Sequence, residues 1–198
     1  SAAAEHHAVF DAINWLVDSQ NAEAYLIPSN DQGVLDLAAL EGFLEQNSER
    51  AALVSVMWAN NEIGVIHPIQ EITALASRFG IPVHSDAIAA LGHIPVSFAE
   101  SGLAAMTITG HKLGGPVGSG ALILRRDQKL TPVNHGGGQE RNLRSGTPDA
   151  SSAAALALTV TEAVAEQASL ASKHQLMRDR LIAGVREIAK DVIVSAEN

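Results

Sequence analysis

The sequence predicts an α/β fold with a mostly parallel central sheet flanked by helices. Three observations lead there. Short apolar or β-branched runs alternate with segments of helical spacing from Ala8 onward. The run Leu53–Trp58 is apolar except for Ser55, as expected of a strand covered on both faces. Pro68 and Gly80 bracket a helical segment with a proline at its start and a glycine at its end.

The elements follow in order. Val9, Ile13, Leu16 and Val17 share a helical face in Ala8–Val17. Tyr25-Leu26-Ile27 reads as a short strand closed by Pro28, and Ser29–Gly33 as a turn. Asp36 caps a helix carrying Leu37, Leu40 and Leu44 on one face. The Leu53–Trp58 strand runs into polar Asn60-Asn61-Glu62. After the Pro68–Gly80 helix comes the strand Ile81–His84, with Ser85-Asp86 at its end. Met106–Ile108 and Ala121–Leu124 are two further strands around a glycine-rich loop. Ser151–Ala168 predicts an Ala-rich helix. Lys173–Lys190 predicts a second, with Leu176, Leu181, Val185 and Ile188 inward. Val192–Val194 is β-branched and predicts a last strand. Trp15 and Trp58 are assigned to the core. The implied organisation is a large domain over 1–150, connecting helices over 151–190, and the start of a small domain at 191–198. The absent initiator Met and the terminal strand suggest an internal piece of a longer protein.

Composition excludes several classes. The 198 residues are 46% hydrophobic and 18% charged, enough to bury a core. Acidic residues outnumber basic ones 22 to 13, a net charge of -9 that argues against a nucleic-acid surface. There is no cysteine, hence no disulfide, thiolate metal site or thiol nucleophile in this stretch. No apolar run is long enough to span a bilayer, and nothing marks a signal peptide. A protein free of membrane and placed in the cytoplasm is expected. Glu5-His6-His7 lacks the spacing of a zinc helix, and no metal site is assigned.

In open α/β sheets, ligands sit at the carboxyl ends of the strands. Three strand ends here carry Asn60-Asn61-Glu62, Ser85-Asp86 and Thr109-Gly110-His111-Lys112. An amine such as Lys112, held where it is partly desolvated, attacks carbonyls. Glycines at 110, 114 and 115 are expected to let a bulky ligand approach the backbone. Thr109 and His111 suit a phosphate. Asp86, 26 residues upstream of Lys112, suits a protonated pyridine nitrogen. A Schiff-base lysine with a carboxylate at the ring nitrogen is the pattern of pyridoxal phosphate (PLP) enzymes. The glycine loop lacks the Walker A spacing.

Four ordered segments then resemble one family. They are Trp58–Gly64 (WANNEIG), His84–Ala87 (HSDA), Thr109–Lys112 (TGHK), and His135–Arg141 (HGGGQER) with Arg144–Thr147 (RSGT). Together they resemble the cysteine desulfurases, within the class V aminotransferase group of fold-type I PLP enzymes. The resemblance implies the large domain of that fold, incomplete here. Lys112 would bind the cofactor aldehyde and later move the α-proton. Asp86 would pair with the pyridinium nitrogen. His6 would stack on the ring and serve in acid–base steps. Asn61 would bond the phenolic oxygen or the substrate carboxylate side. Thr109 and His111 would contact the phosphate, and Thr147 that of a neighbouring subunit, which implies a homodimer. The implied reaction converts L-cysteine to L-alanine, with sulfur held as an enzyme persulfide. It then passes to an acceptor such as an iron–sulfur scaffold protein.

Three departures bear on activity. Ala89 stands where the family has a Gln that bonds the ring oxygen. Thr109 replaces the commoner Ser. The nucleophilic Cys and the carboxylate-binding Arg would lie beyond Asn198, so this stretch alone is expected to be inactive. A selenocysteine lyase, another class V lyase or aminotransferase, and a PLP-fold binding protein without catalysis remain alternatives.

Overall fold

The computed structural model describes residues 1–195. Helix α1 spans His7–Gln20, α2 Leu37–Asn47, α3 Ile69–Ser77, α4 Phe98–Ser101, α5 Gln139–Asn142 and α6 Ala150–Ile188. Strand β1 spans Val54–Ser55, β2 Val83–Asp86, β3 Ala105–Thr109 and β4 Gly120–Leu124. The strands lie in the order β1-β2-β3-β4. The β1–β2 and β2–β3 pairs are parallel, and β4 pairs antiparallel to β3. The expected α/β architecture with a mostly parallel sheet is therefore present.

Several elements form for the reasons read in the sequence. Asp36 Oδ1 accepts the Ala39 amide at 2.9 Å and starts α2, whose Leu40 and Leu44 are buried. Ile69, Ile72 and Ala76 bury the inner face of α3. They join Val54, Val56, Trp58, Val83, Met106 and Ile108 in one core. The parallel ladder outruns the assigned length of β1. Val56 N–H donates to His84 O and Trp58 N–H to Asp86 O.

Other expectations are corrected. Tyr25–Ile27 forms a single parallel bridge, Ala2 to Ile27, instead of a strand. Residues 1–3 lie between Ile27 and Ser55: Ile27 N–H donates to Ser1 O, and Ala2 N–H to Ser55 O. The two helices expected after Ser151 are one 39-residue helix, α6. No Pro interrupts it, its one glycine, Gly184, lies near its end, and the hydroxyls of Ser169 and Ser172 bond back to the carbonyls of Glu166 and Ala168. Leu176, Leu181, Val185 and Ile188 are exposed, Ile188 by 89%. Helical spacing puts them on related faces but does not supply the surface that covers them. The same holds for Trp15, 57% exposed on a helix that buries none of its residues. Val192–Val194 is not a strand, and 196–198 of the expected small-domain start lie outside the described residues. Among the described residues, no helix is long and apolar enough to cross a membrane.

Two glycines of the loop also have a packing role. A Cβ on Gly110 would meet Ser119 Oγ at 2.6 Å and Leu156 of α6 at 3.2 Å. On Gly115 it would meet Thr159 Oγ1 of α6 at 2.9 Å. These two glycines admit a helix, whereas Gly114 supplies a backbone φ of +84°.

His67, just ahead of α3, is 2% exposed, and neither ring nitrogen has a partner. Burial lowers its pKa from 6.5 to about 4. The unfolded chain therefore binds a proton near pH 6.5 that the folded chain refuses. Stability should fall by about 3 kcal/mol as pH drops from 6.5 towards 4. Urea titrations across that window should show the loss, and His67→Leu should remove most of it.

Candidate functional site

Parallel pairing brings the carboxyl ends of β1, β2 and β3 to one edge of the sheet. The register Asp86↔Thr107 places the end of β2 beside the end of β3. The segment 1–3 runs alongside β1, so Ala4, Glu5 and His6 emerge at the same edge.

Asp86 is the last residue of β2 and 4% exposed. Its Oδ1 accepts the Ile88 amide at 2.9 Å. Among the described residues, no cationic side chain pairs with it. Its carboxylate is thus fixed by one backbone bond and retains acceptor capacity. Lys112 lies on the 3-10 turn His111–Leu113 that follows β3, and it is exposed. Its ammonium bonds to no described residue. Two groups of opposite charge, each without an ionic partner, therefore leave neighbouring strand ends.

Thr109 is buried at the end of β3 and donates its hydroxyl to Ser119 O at 2.9 Å. The same oxygen lies 2.9 Å from His111 Nδ1. With the hydroxyl proton already given away, Nδ1 is the donor of that pair. His111 Nε2 then reaches an anion as a donor only when the imidazole is protonated.

His6 is exposed at the N-cap of α1, where its Nδ1 accepts the Ala8 amide at 3.1 Å. The neutral ring therefore carries its proton on Nε2. Asn61 is exposed in the turn after Trp58, and its amide has no partner among the described residues. Ala89 is half-buried in the turn after Asp86, and its methyl offers no donor. Thr147 lies exposed between α5 and α6 and makes no side-chain bond to the other site residues. The structure thus gathers His6, Asn61, Asp86, Thr109, His111 and Lys112 along one edge and does not bond Thr147 to them.

Three groups escaped the sequence reading. Asn60, buried beside Asn61, donates from Nδ2 to Ala4 O at 2.7 Å. Its Oδ1 accepts the amides of Glu62 and Ile63. A polar chain crosses three strands beneath the edge. His84 Nδ1 lies 2.9 Å from Ser55 Oγ, and Nε2 lies 2.8 Å from Thr107 Oγ1. Burial lowers the His84 pKa, with the Asp86 carboxylate opposing. Glu5 is buried and accepts the Met57 amide at 2.8 Å. Burial raises its pKa from 4.5 to about 7; the Met57 bond opposes this and Asp86 adds to it. Ser55 and Thr107, polar positions inside apolar strand runs, were the available signal for the chain.

The residues present fit PLP on the chemistry of their donors and acceptors. Asp86 can accept from a ring N–H, and Lys112 offers a free amine for the aldehyde. Comparison with known proteins agrees. The aminotransferase class-V family model matches residues 1–195. The chain is 48% identical over 191 residues to an IscS-like cysteine desulfurase of Mycobacterium tuberculosis, covering 96% of this chain and 48% of that protein. It is 35% identical over 193 residues to the cysteine desulfurase NifS of Azotobacter vinelandii, covering 98% and 47%. The solved structure of a NifS-like protein from Rickettsia africae superposes with a TM-score of 0.90 at 33% identity, covering 99% and 53%. The chain thus spans about half the length of the curated relatives it matches.

The two adjacent asparagines should separate cleanly. Asn60→Ala orphans one carbonyl and two amides and should cost about 2 kcal/mol in denaturant titrations. Asn61→Ala should change stability by less than about 0.5 kcal/mol.

Proposed function

The chain belongs to the aminotransferase class-V family, and from that premise we propose that it is the cofactor-binding part of a PLP-dependent cysteine desulfurase. The observation that carries the reading is the pair Asp86 and Lys112. A fixed carboxylate and a free amine stand at adjacent parallel strand ends, neither holding an ionic partner. The names of the relatives point the same way.

When bound, the cofactor supplies an electron sink for the carbanion at the α-carbon of L-cysteine. Asp86 accepts the ring N–H and favours its protonated form. The Lys112 amine would hold the cofactor through its aldehyde group and would serve as the base for the α-proton. His6 would stack on the ring and would offer Nε2–H for proton transfer, because Nδ1 is occupied by Ala8. Asn61 offers its free amide to the phenolic oxygen or to the substrate carboxylate side. Thr109 would shape the phosphate end by holding His111 through its Nδ1. Thr147 serves the phosphate of a second copy, so the working unit is a homodimer.

These 198 residues contain no cysteine. The thiol that takes sulfur as persulfide, leaving L-alanine, therefore lies outside them. The sulfur then passes to an acceptor such as an iron–sulfur scaffold protein, in the cytoplasm. Residues 1–150 are assigned to part of the PLP-binding large domain, and 151–190 to the connecting segment after it.

The full-length protein mixed with PLP should absorb in the visible and release alanine from cysteine. Lys112→Ala should abolish both. Asp86→Asn should weaken PLP binding about tenfold or more, since a hydrogen bond to a charged group is worth about 1.5–3 kcal/mol. Alanine release from selenocysteine but not from cysteine would overturn the desulfurase reading in favour of a lyase. Ala89→Gln adds a donor and should tighten PLP binding about twofold to tenfold, read by spectroscopic titration.

A further inference from the structure

Glu5 stands one residue before His6 and is 8% exposed. Its Oε1 accepts the Met57 amide at 2.8 Å, while Oε2 is buried with no partner. The preceding residue is tied down as well, because Asn60 Nδ2 donates to Ala4 O at 2.7 Å. Two bonds from consecutive residues therefore clamp Ala4–Glu5 onto the Met57–Asn60 segment that follows β1. His6 leaves directly from that clamp and caps α1.

The charged side chain facing Glu5 is the Asp86 carboxylate from β2. Two buried carboxyl groups at one sheet edge ionise together only at high cost. Asp86 keeps one backbone donor and an oxygen open to a cationic ring. Glu5 has an oxygen buried without any donor, a poor place for an anion and an acceptable one for a neutral acid.

We propose that Glu5 is a positioning residue acting as a neutral acid: clamped on Met57, it sets the station of His6 and leaves Asp86 the sole anion where the ring nitrogen binds. The proposal rests on Asp86 and His6 being the ring partners. It explains how a carboxyl group is tolerated with one oxygen buried and unpartnered. The raised pKa of Glu5 agrees with it.

The test uses the full-length protein, with and without PLP. Glu5→Gln keeps an acceptor for Met57 and stays neutral; Glu5→Asp shortens the clamp; Glu5→Ala removes it. Glu5→Gln should hold PLP within about twofold of wild type, and the other two should lose about tenfold. The wild-type visible band should shift with pH near 7, and that shift should be absent from Glu5→Gln. Without PLP, the melting temperature of wild type should fall relative to Glu5→Gln as pH rises from 4.5 to about 7. Over that range the unfolded carboxyl releases a proton that the folded one retains. Subtracting the two proteins removes the opposing His67 effect.

The proposal is overturned if Glu5→Gln binds PLP as poorly as Glu5→Ala, if Glu5→Asp and Glu5→Ala bind as wild type does, or if the melting difference is independent of pH. Wild-type protein that takes up no PLP overturns the desulfurase reading instead, and the PLP-free melting difference still decides the neutral acid. Should Glu5→Ala fail to fold, Glu5→Asp and Glu5→Gln carry the comparison.

Discussion

Parallel hydrogen bonding between β1, β2 and β3 is the constraint on which the rest of the molecule depends. It sends three carboxyl ends to one edge and fixes which residues stand there together. The register Asp86↔Thr107 makes Asp86 a neighbour of the Thr109–Lys112 turn, although 26 residues separate Asp86 from Lys112. A shift of one residue would turn Asp86 and His84 to the opposite face of the sheet. The chemistry assigned to the edge would then be lost while the strands remained.

That edge is supported from below by polar groups that hold one another. Ser55, His84 and Thr107 form a hydrogen-bonded chain across three strands. Asn60 uses both ends of its amide, and Glu5 anchors Met57. Buried polar groups of this kind cost stability when left unpaired and give precision when paired. Ser85 Oγ, His67 and the second oxygen of Glu5 are among the exceptions, and the pKa values of the latter two move in the direction that keeps each group neutral. They make opposite demands on pH, His67 favouring neutrality and Glu5 acidity.

The loop that carries Lys112 is held from the other side. Helix α6 presses Leu156 and Thr159 against Gly110 and Gly115 at distances no larger residue permits without a shift. The turn bearing the amine is therefore positioned by a helix that begins 38 residues later than Lys112. A long uninterrupted α6 becomes part of the site without contributing a chemical group to it.

The sequence alone determined what is local. Helix caps such as Asp36, the buried strand run through Trp58, the Pro68–Gly80 boundaries and the polar strand ends all follow from neighbouring residues. The motifs around Asn61, Asp86 and Lys112 were legible for the same reason, since strand-end chemistry is written in contiguous residues. Tertiary structure decided what depends on a partner far along the chain. It alone placed residues 1–3 between Ile27 and Ser55, gave Gly110 and Gly115 to α6, and left Trp15 and Ile188 uncovered. It also made Glu5 a buried acid beside Asp86, because burial and electrostatic fields come from the surrounding elements and not from adjacent letters.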